Sequence, residues 1–88
     1  MGQPVAKVLG YGTLYDFAEP GDVLPMHDHD ETTAHDTLVA RGGLRVSGPG
    51  WERLLAPGDF VKFKPGNPHE LQATERNTRI LNILNGGV

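Results

Sequence analysis

Hydrophobic and polar positions along the chain alternate in short bursts, each closed by a cluster of glycine and proline. The bursts run Val5–Leu9, Thr13–Phe17, Val23–His29, His35–Arg41, Leu44–Ser47, Trp51–Leu55, Phe60–Phe63, His69–Thr74 and Thr78–Leu84. Between them stand Glu19-Pro20-Gly21-Asp22, Arg41-Gly42-Gly43, Ser47-Gly48-Pro49-Gly50, Ala56-Pro57-Gly58-Asp59 and Lys64-Pro65-Gly66-Asn67-Pro68, with Asn85-Gly86-Gly87 after the last burst. Such clusters supply the fixed or positive backbone angles that tight turns require. Apolar residues nowhere keep a helical spacing for several turns, so no substantial helix is predicted. Strand-length segments at intervals of about 8–12 residues, with turns between them, predict an all-β fold. The expected form is a small antiparallel β-barrel.

Composition narrows the function classes. An 88-residue chain is one domain, spanning 1–88, with no room for a second. Eight basic and eleven acidic residues leave a net charge of −3, without a basic run, so no nucleic-acid partner is expected. The chain has no cysteine, which excludes disulfides and thiolate metal sites. No apolar run approaches membrane-spanning length, and the Met1–Gly12 segment lacks the pattern of a secretory signal. Ala6 stands where a myristoylation motif needs Ser or Thr. A soluble, cytoplasmic protein without membrane partners is the expectation.

Chemistry enters with the four histidines. His27 and His29 are two residues apart at the end of a predicted strand, so both imidazoles project from one face. His35 opens the next strand, and His69 follows a proline-glycine turn. Imidazole is a ligand for zinc, iron, copper and nickel, and a same-face pair with distant histidines suits such an ion. Two solvated histidines at a strand end would give the same local spacing.

The glycine frame around these residues distinguishes them. Gly21, His27-x-His29, His35 and Gly42 (residues 21–42) resemble the first motif of the cupin superfamily. Gly58-Asp59 followed by Lys64-Pro65-Gly66-Asn67-Pro68-His69 (within 58–73) resembles its second. Three positions depart from the pattern. His35 replaces the family's glutamate, one residue late. Lys64 replaces the first proline of motif two, and Ala73 replaces its terminal asparagine. The resemblance implies a jelly-roll barrel enclosing one divalent transition metal (Fe, Cu, Ni, Zn or Mn) on His27, His29, His35 and His69.

Four neutral imidazoles would leave the whole charge of a divalent ion uncompensated, favouring an anionic ligand at the open positions. Strand alternation puts Arg41 on the His35 face, where it either holds a carboxylate at the barrel mouth or stands solvated at the strand end, the commoner role for such an arginine. Phe63 and Leu71 are the expected apolar lining, with Trp51 and Met26 as core or lining. Tyr11 and Tyr15 are expected to pack within strands. Which face of 60–64 looks inward is left open by the pattern. No paired inward carboxylates, phosphate loop or Ser–His–Asp set is recognisable. The implied function is a metal-dependent, dioxygenase-like oxidoreductase acting on a small anionic organic molecule. The alternatives are a non-catalytic small-molecule or metal-binding module, and a Lewis-acid isomerase or lyase. A chain this small buries little surface alone, and the apolar Val5–Leu9 and Ile80–Leu84 segments lack a covering helix, so a homodimer is expected.

Overall fold

The structure, a computed structural model, describes residues 2–27, 35–63 and 68–84, without the side chains at 25–27, 35 and 84. The described residues form nine strands in order: β1 Val5–Leu9, β2 Gly12–Phe17, β3 Val23–His27, β4 His35–Arg41, β5 Leu44–Gly48, β6 Trp51–Leu55, β7 Phe60–Phe63, β8 His69–Ala73 and β9 Thr78–Leu84. No helix occurs among the described residues. The predicted strands and the observed ones agree to within two residues at every described end. Of the expected site residues, His29 lies outside the described residues, as does the 64–67 segment of the second motif.

The strands form two antiparallel sheets. The first has the order β1-β2-β9-β4-β7 and the second β3-β8-β5-β6. Pro25 sits in β3, an edge strand of the second sheet, where the missing N–H need not break a ladder. Alternation sends Val39 and Thr37 of β4, Ile80 and Asn82 of β9, and Val61 and Phe63 of β7 inward from the first sheet. Leu44 and Val46 of β5 and Leu71 and Ala73 of β8 meet them from the second. Phe17, at the end of β2, and Leu55, at the end of β6, complete this core.

The register of β7 against β4 decides the face that the sequence left open. Val61 pairs with Thr37 and Phe63 with His35, so Val61 and Phe63 are buried while Phe60 and Lys62 face outward. Tyr11 departs from expectation. It falls in the turn between β1 and β2 and is exposed, whereas Tyr15 packs against the core. The turn takes Tyr11 out of the ladder, so no facing strand covers its ring.

One barrel end is closed by backbone and hydroxyl contacts. Gly42 has a φ of +85°, and a Cβ there would run into Thr78. Glycine is therefore required on both counts. The buried Thr78 Oγ1 accepts the Gly43 N–H at 3.2 Å and donates to the Glu75 carbonyl at 2.8 Å. At the same end Asp22 accepts the backbone N–H groups of Gly2 and Glu19, each at 3.1 Å.

Candidate metal and ligand site

The opposite barrel end gathers three of the histidine positions. His69 is the first residue of β8 and pairs in register with His27, the last of β3, beyond a bulge between Leu24 and His27. On the facing sheet, His35 opens β4 and pairs with Phe63, the last residue of β7. Positions 27, 35 and 69 thus come to one end of the barrel although 42 residues separate the outer two. Four strand termini converge there because consecutive antiparallel strands must reverse at the barrel rim.

His69 is fully buried. Its imidazole stacks on Phe63 with ring centroids 3.8 Å apart and planes 12° from parallel. Phe63 belongs to the first sheet and His69 to the second, so this contact bridges the two sheets. Trp51 adds a tilted neighbour, 6.2 Å from Phe63 at 44°. The indole lies so close to Gly48 that a Cβ at that position would collide with Trp51 Nε1 and the Pro68 carbonyl. The aromatic wall therefore depends on a bare backbone at the end of β5.

Directly beneath the histidine level is a polar row absent from the sequence reading. Thr13, Asn82, Thr37 and Val61 pair in succession across β2, β9, β4 and β7. Thr37 Oγ1 donates to Asn82 Oδ1 at 2.6 Å, both residues being buried. The partners lie 45 residues apart, and strand adjacency alone makes the pair visible. No local motif marks it.

The expected ligand-contacting residues separate. Phe63 lies within the site, against His69. Leu71 is fully buried in the core, two residues deeper than His69 on β8. Arg41 is not brought to the histidines. It stands at the far end of β4, about 20 Å along the strand from His35, after a bulge between Val39 and Arg41. There its Nε donates to the Asn77 carbonyl at 2.8 Å, and its Nη2 lies 3.7 Å from Asp16 Oδ1. Asp16 also receives a bidentate pair from Arg79, at 2.8 and 3.0 Å. These hydrogen bonds, helped by the charges of Arg79 and Arg41, hold the Asp16 carboxyl below its ordinary value against the effect of desolvation. Arg41 is therefore engaged in an ionic cluster remote from the site. Among the described residues no three metal-ligating side chains form a group; His29 and the side chains of His27 and His35 lie outside that description.

The fold of the two sheets is widespread among solved structures. KdgF from Halomonas sp. superposes with a TM-score of 0.80 at 23% identity, over 90% of this chain and 74% of that one. The Cupin_2 domain of an XRE family transcriptional regulator from Enterobacter cloacae gives 0.80 at 20% identity, over 92% and 94%. The Drosophila melanogaster CENP-C cupin domain gives 0.75 at 14% identity, over 92% and 74%. This chain has the cupin fold. Neither a protein-family model nor a curated protein matches the sequence. The cupin fold accounts for the two facing sheets and for the strand termini that bring positions 27, 35 and 69 together. At these identities the likeness establishes architecture, and chemistry must be argued from the residues.

Proposed function

We propose that the chain is a cupin-superfamily protein that holds one divalent transition metal on His27, His29, His35 and His69. In this reading it acts as a dioxygenase-like oxidoreductase on a small anionic organic substrate. The observation that carries the proposal is the meeting of positions 27, 35 and 69 at one barrel end, with His69 withdrawn from water against Phe63. Burying an imidazole removes water from its nitrogens, a cost that ligation or hydrogen bonding offsets. An all-nitrogen donor set fits Fe, Cu, Ni or Zn, and Mn less well. When bound, the metal would supply Lewis acidity and, if redox-active, a route for electrons between substrate and dioxygen.

The remaining work falls to the chain's own groups. Phe63 fixes the plane of His69 and, with Trp51, keeps that side of the site apolar. A water-poor wall strengthens the attraction between a site cation and an anionic ligand. Thr37 and Asn82 present a hydroxyl and an amide just below the histidine level, the groups suited to fixing a small oxygen-bearing ligand. The buried carboxylate Asp22 is at the other barrel end and already accepts two backbone N–H groups.

A second reading, a non-catalytic module that captures a small molecule, is favoured by one comparison. The chain covers 94% of the cupin domain of a transcriptional regulator. The deciding experiment loads metal-free protein with Fe(II) or Cu(II) and adds 1,3-diketones, catechols and small keto acids while oxygen uptake is followed. Uptake above free-metal controls supports the oxidoreductase. Tight ligand binding without uptake supports the module. Unchanged metal content in a His27→Ala/His69→Ala variant, measured by elemental analysis, refutes the metal site itself.

A further inference from the structure

We infer that Asn82 sets ligand specificity by donating an amide N–H to a neutral carbonyl oxygen of the ligand. The contact rests on the small anionic ligand proposed above and gives it a second point of recognition. Strand register layers the inward face of the five-stranded sheet. Tyr15, Ile80 and Val39 form one row, with Ile80 and Val39 buried. Thr13, Asn82, Thr37 and Val61 form the next, and Leu84, His35 and Phe63 the one after. The polar row therefore stands between the apolar core and the histidine row. A polar side chain buried in such a place is costly unless its groups find partners.

Counting donors and acceptors shows what the row has left to give. Thr37 is fully buried and Asn82 is 6% exposed. A separation of 2.6 Å between Thr37 Oγ1 and Asn82 Oδ1 is that of an O–H···O bond, so the hydroxyl spends its proton on the amide oxygen. The amide nitrogen, on the other side of Cγ, is turned away from this contact and carries two N–H groups. Among the described residues the bond with Thr37 is the one hydrogen bond that the Asn82 side chain makes. Even with one N–H given to the neighbouring hydroxyl of Thr13, a second donor is left over. A leftover donor recognises an acceptor oxygen. The row carries no charge, so a neutral carbonyl suits it, whereas a second carboxylate would be buried without a counter-charge. The polar row lies two residues from the histidine row, about 6.8 Å along the strand. With carbon–carbon bonds of about 1.5 Å, a carboxylate and a ketone separated by two methylene carbons roughly cover that span. The ligand class is thus a short oxo acid, its carboxylate toward the histidine row and its ketone toward Asn82.

Nuclear magnetic resonance titration of nitrogen-15-labelled, Zn(II)-loaded protein tests the inference. The probes are 4-oxopentanoate and pentanoate, which share charge and chain length and differ in the ketone. The Asn82 side-chain amide signals are identified by their loss in Asn82→Asp, whose carboxylate still accepts from Thr37 but has no N–H to give. These signals should shift with 4-oxopentanoate and stay in place with pentanoate. Wild type should bind the oxo acid about tenfold more tightly. In Asn82→Asp, and in the uncharged Asn82→Leu, the two acids should bind within about twofold of each other. Elemental analysis separates this inference from the metal reading, because both variants should hold as much zinc as wild type. A chain that holds no zinc refutes the metal site, and the amide response of the metal-free protein to the same two acids then decides the role of Asn82. Circular dichroism confirms the strand fold, and Asn82→Asp carries the test if Asn82→Leu does not fold. An amide unmoved by 4-oxopentanoate, equal affinity of wild type for the two acids, or a preference that survives the loss of Asn82 would overturn the inference.

Discussion

Replacing Phe63 probes the contact that ties the candidate site to the barrel. The ring is 1% exposed, stacked on His69 and close to Trp51. Truncation to alanine deletes a buried aromatic, and such changes cost about 3–5 kcal/mol. Phe63→Leu keeps most of the apolar volume, removes the ring–ring contact and leaves a small void. The stacking loss is about 0.5–1.5 kcal/mol. A void of roughly 20 Å³ at about 24 cal/mol per Å³ adds about 0.5 kcal/mol. The total of about 1–2 kcal/mol should lower the melting temperature by about 4–16 °C in a domain of this size. Urea unfolding followed by circular dichroism, with a chelator present to exclude any metal contribution, measures these losses directly. A double-mutant cycle with His69→Leu should return a coupling of about 0.5–1.5 kcal/mol between the rings. Additivity within about 0.3 kcal/mol would show that the stack contributes nothing. Equal losses for Phe63→Leu and Phe63→Ala would refute the division between packing and stacking.

Two further perturbations act on polar contacts between strands. Thr37→Val keeps the shape of the side chain but removes the donor to the buried Asn82 Oδ1. It should cost about 1–3 kcal/mol in urea unfolding, and a loss below about 0.5 kcal/mol would show that Asn82 finds another partner. Asp16→Asn removes a carboxylate whose folded pKa is depressed, chiefly by the hydrogen bond from Arg79. The stability it contributes is present above the unfolded value near about 4 and is lost as pH falls through the lower folded value. The wild type should therefore exceed Asp16→Asn in stability by a small, constant margin at neutral pH. That margin should shrink below pH of about 4, and a margin unchanged to pH of about 2 would contradict the assignment. Its exposure keeps the effect modest.

The strands were legible because each combines period-two patterning with a glycine–proline boundary. The convergence of positions 27, 35 and 69 was legible only through the cupin-like spacing, since local alternation cannot bring residues of different sheets together. Where expectation and structure part, strand pairing supplies the missing information. Val61 and Phe60 are equally good core residues by type, and pairing with Thr37 rather than composition turns Val61 inward. Arg41 shares its parity with His35 in sequence, yet the intervening bulge and the length of β4 carry it to Asp16 and Asn77. The Thr37–Asn82 pair and the row that contains it join residues from β4 and β9, and from β2, β9, β4 and β7. Neither exists as a pattern until the sheet order is known.

That sheet order also sets the sequence of events in assembly. Strand β9, the latest of the nine described strands, lies in the middle of its sheet between β2 and β4. Until it is available, β1–β2 and β4–β7 are separate two-stranded units, each with an unpaired edge. Isolated pairs of this kind are marginally stable in water. On a ribosome the barrel can close only after β9 has emerged, and pairings this distant along the chain place folding in the slow, milliseconds-to-seconds class. The β4 terminus bearing His35 gains its second neighbour in the same event. Competence for the ligand binding proposed above should therefore appear with the final closure of the barrel.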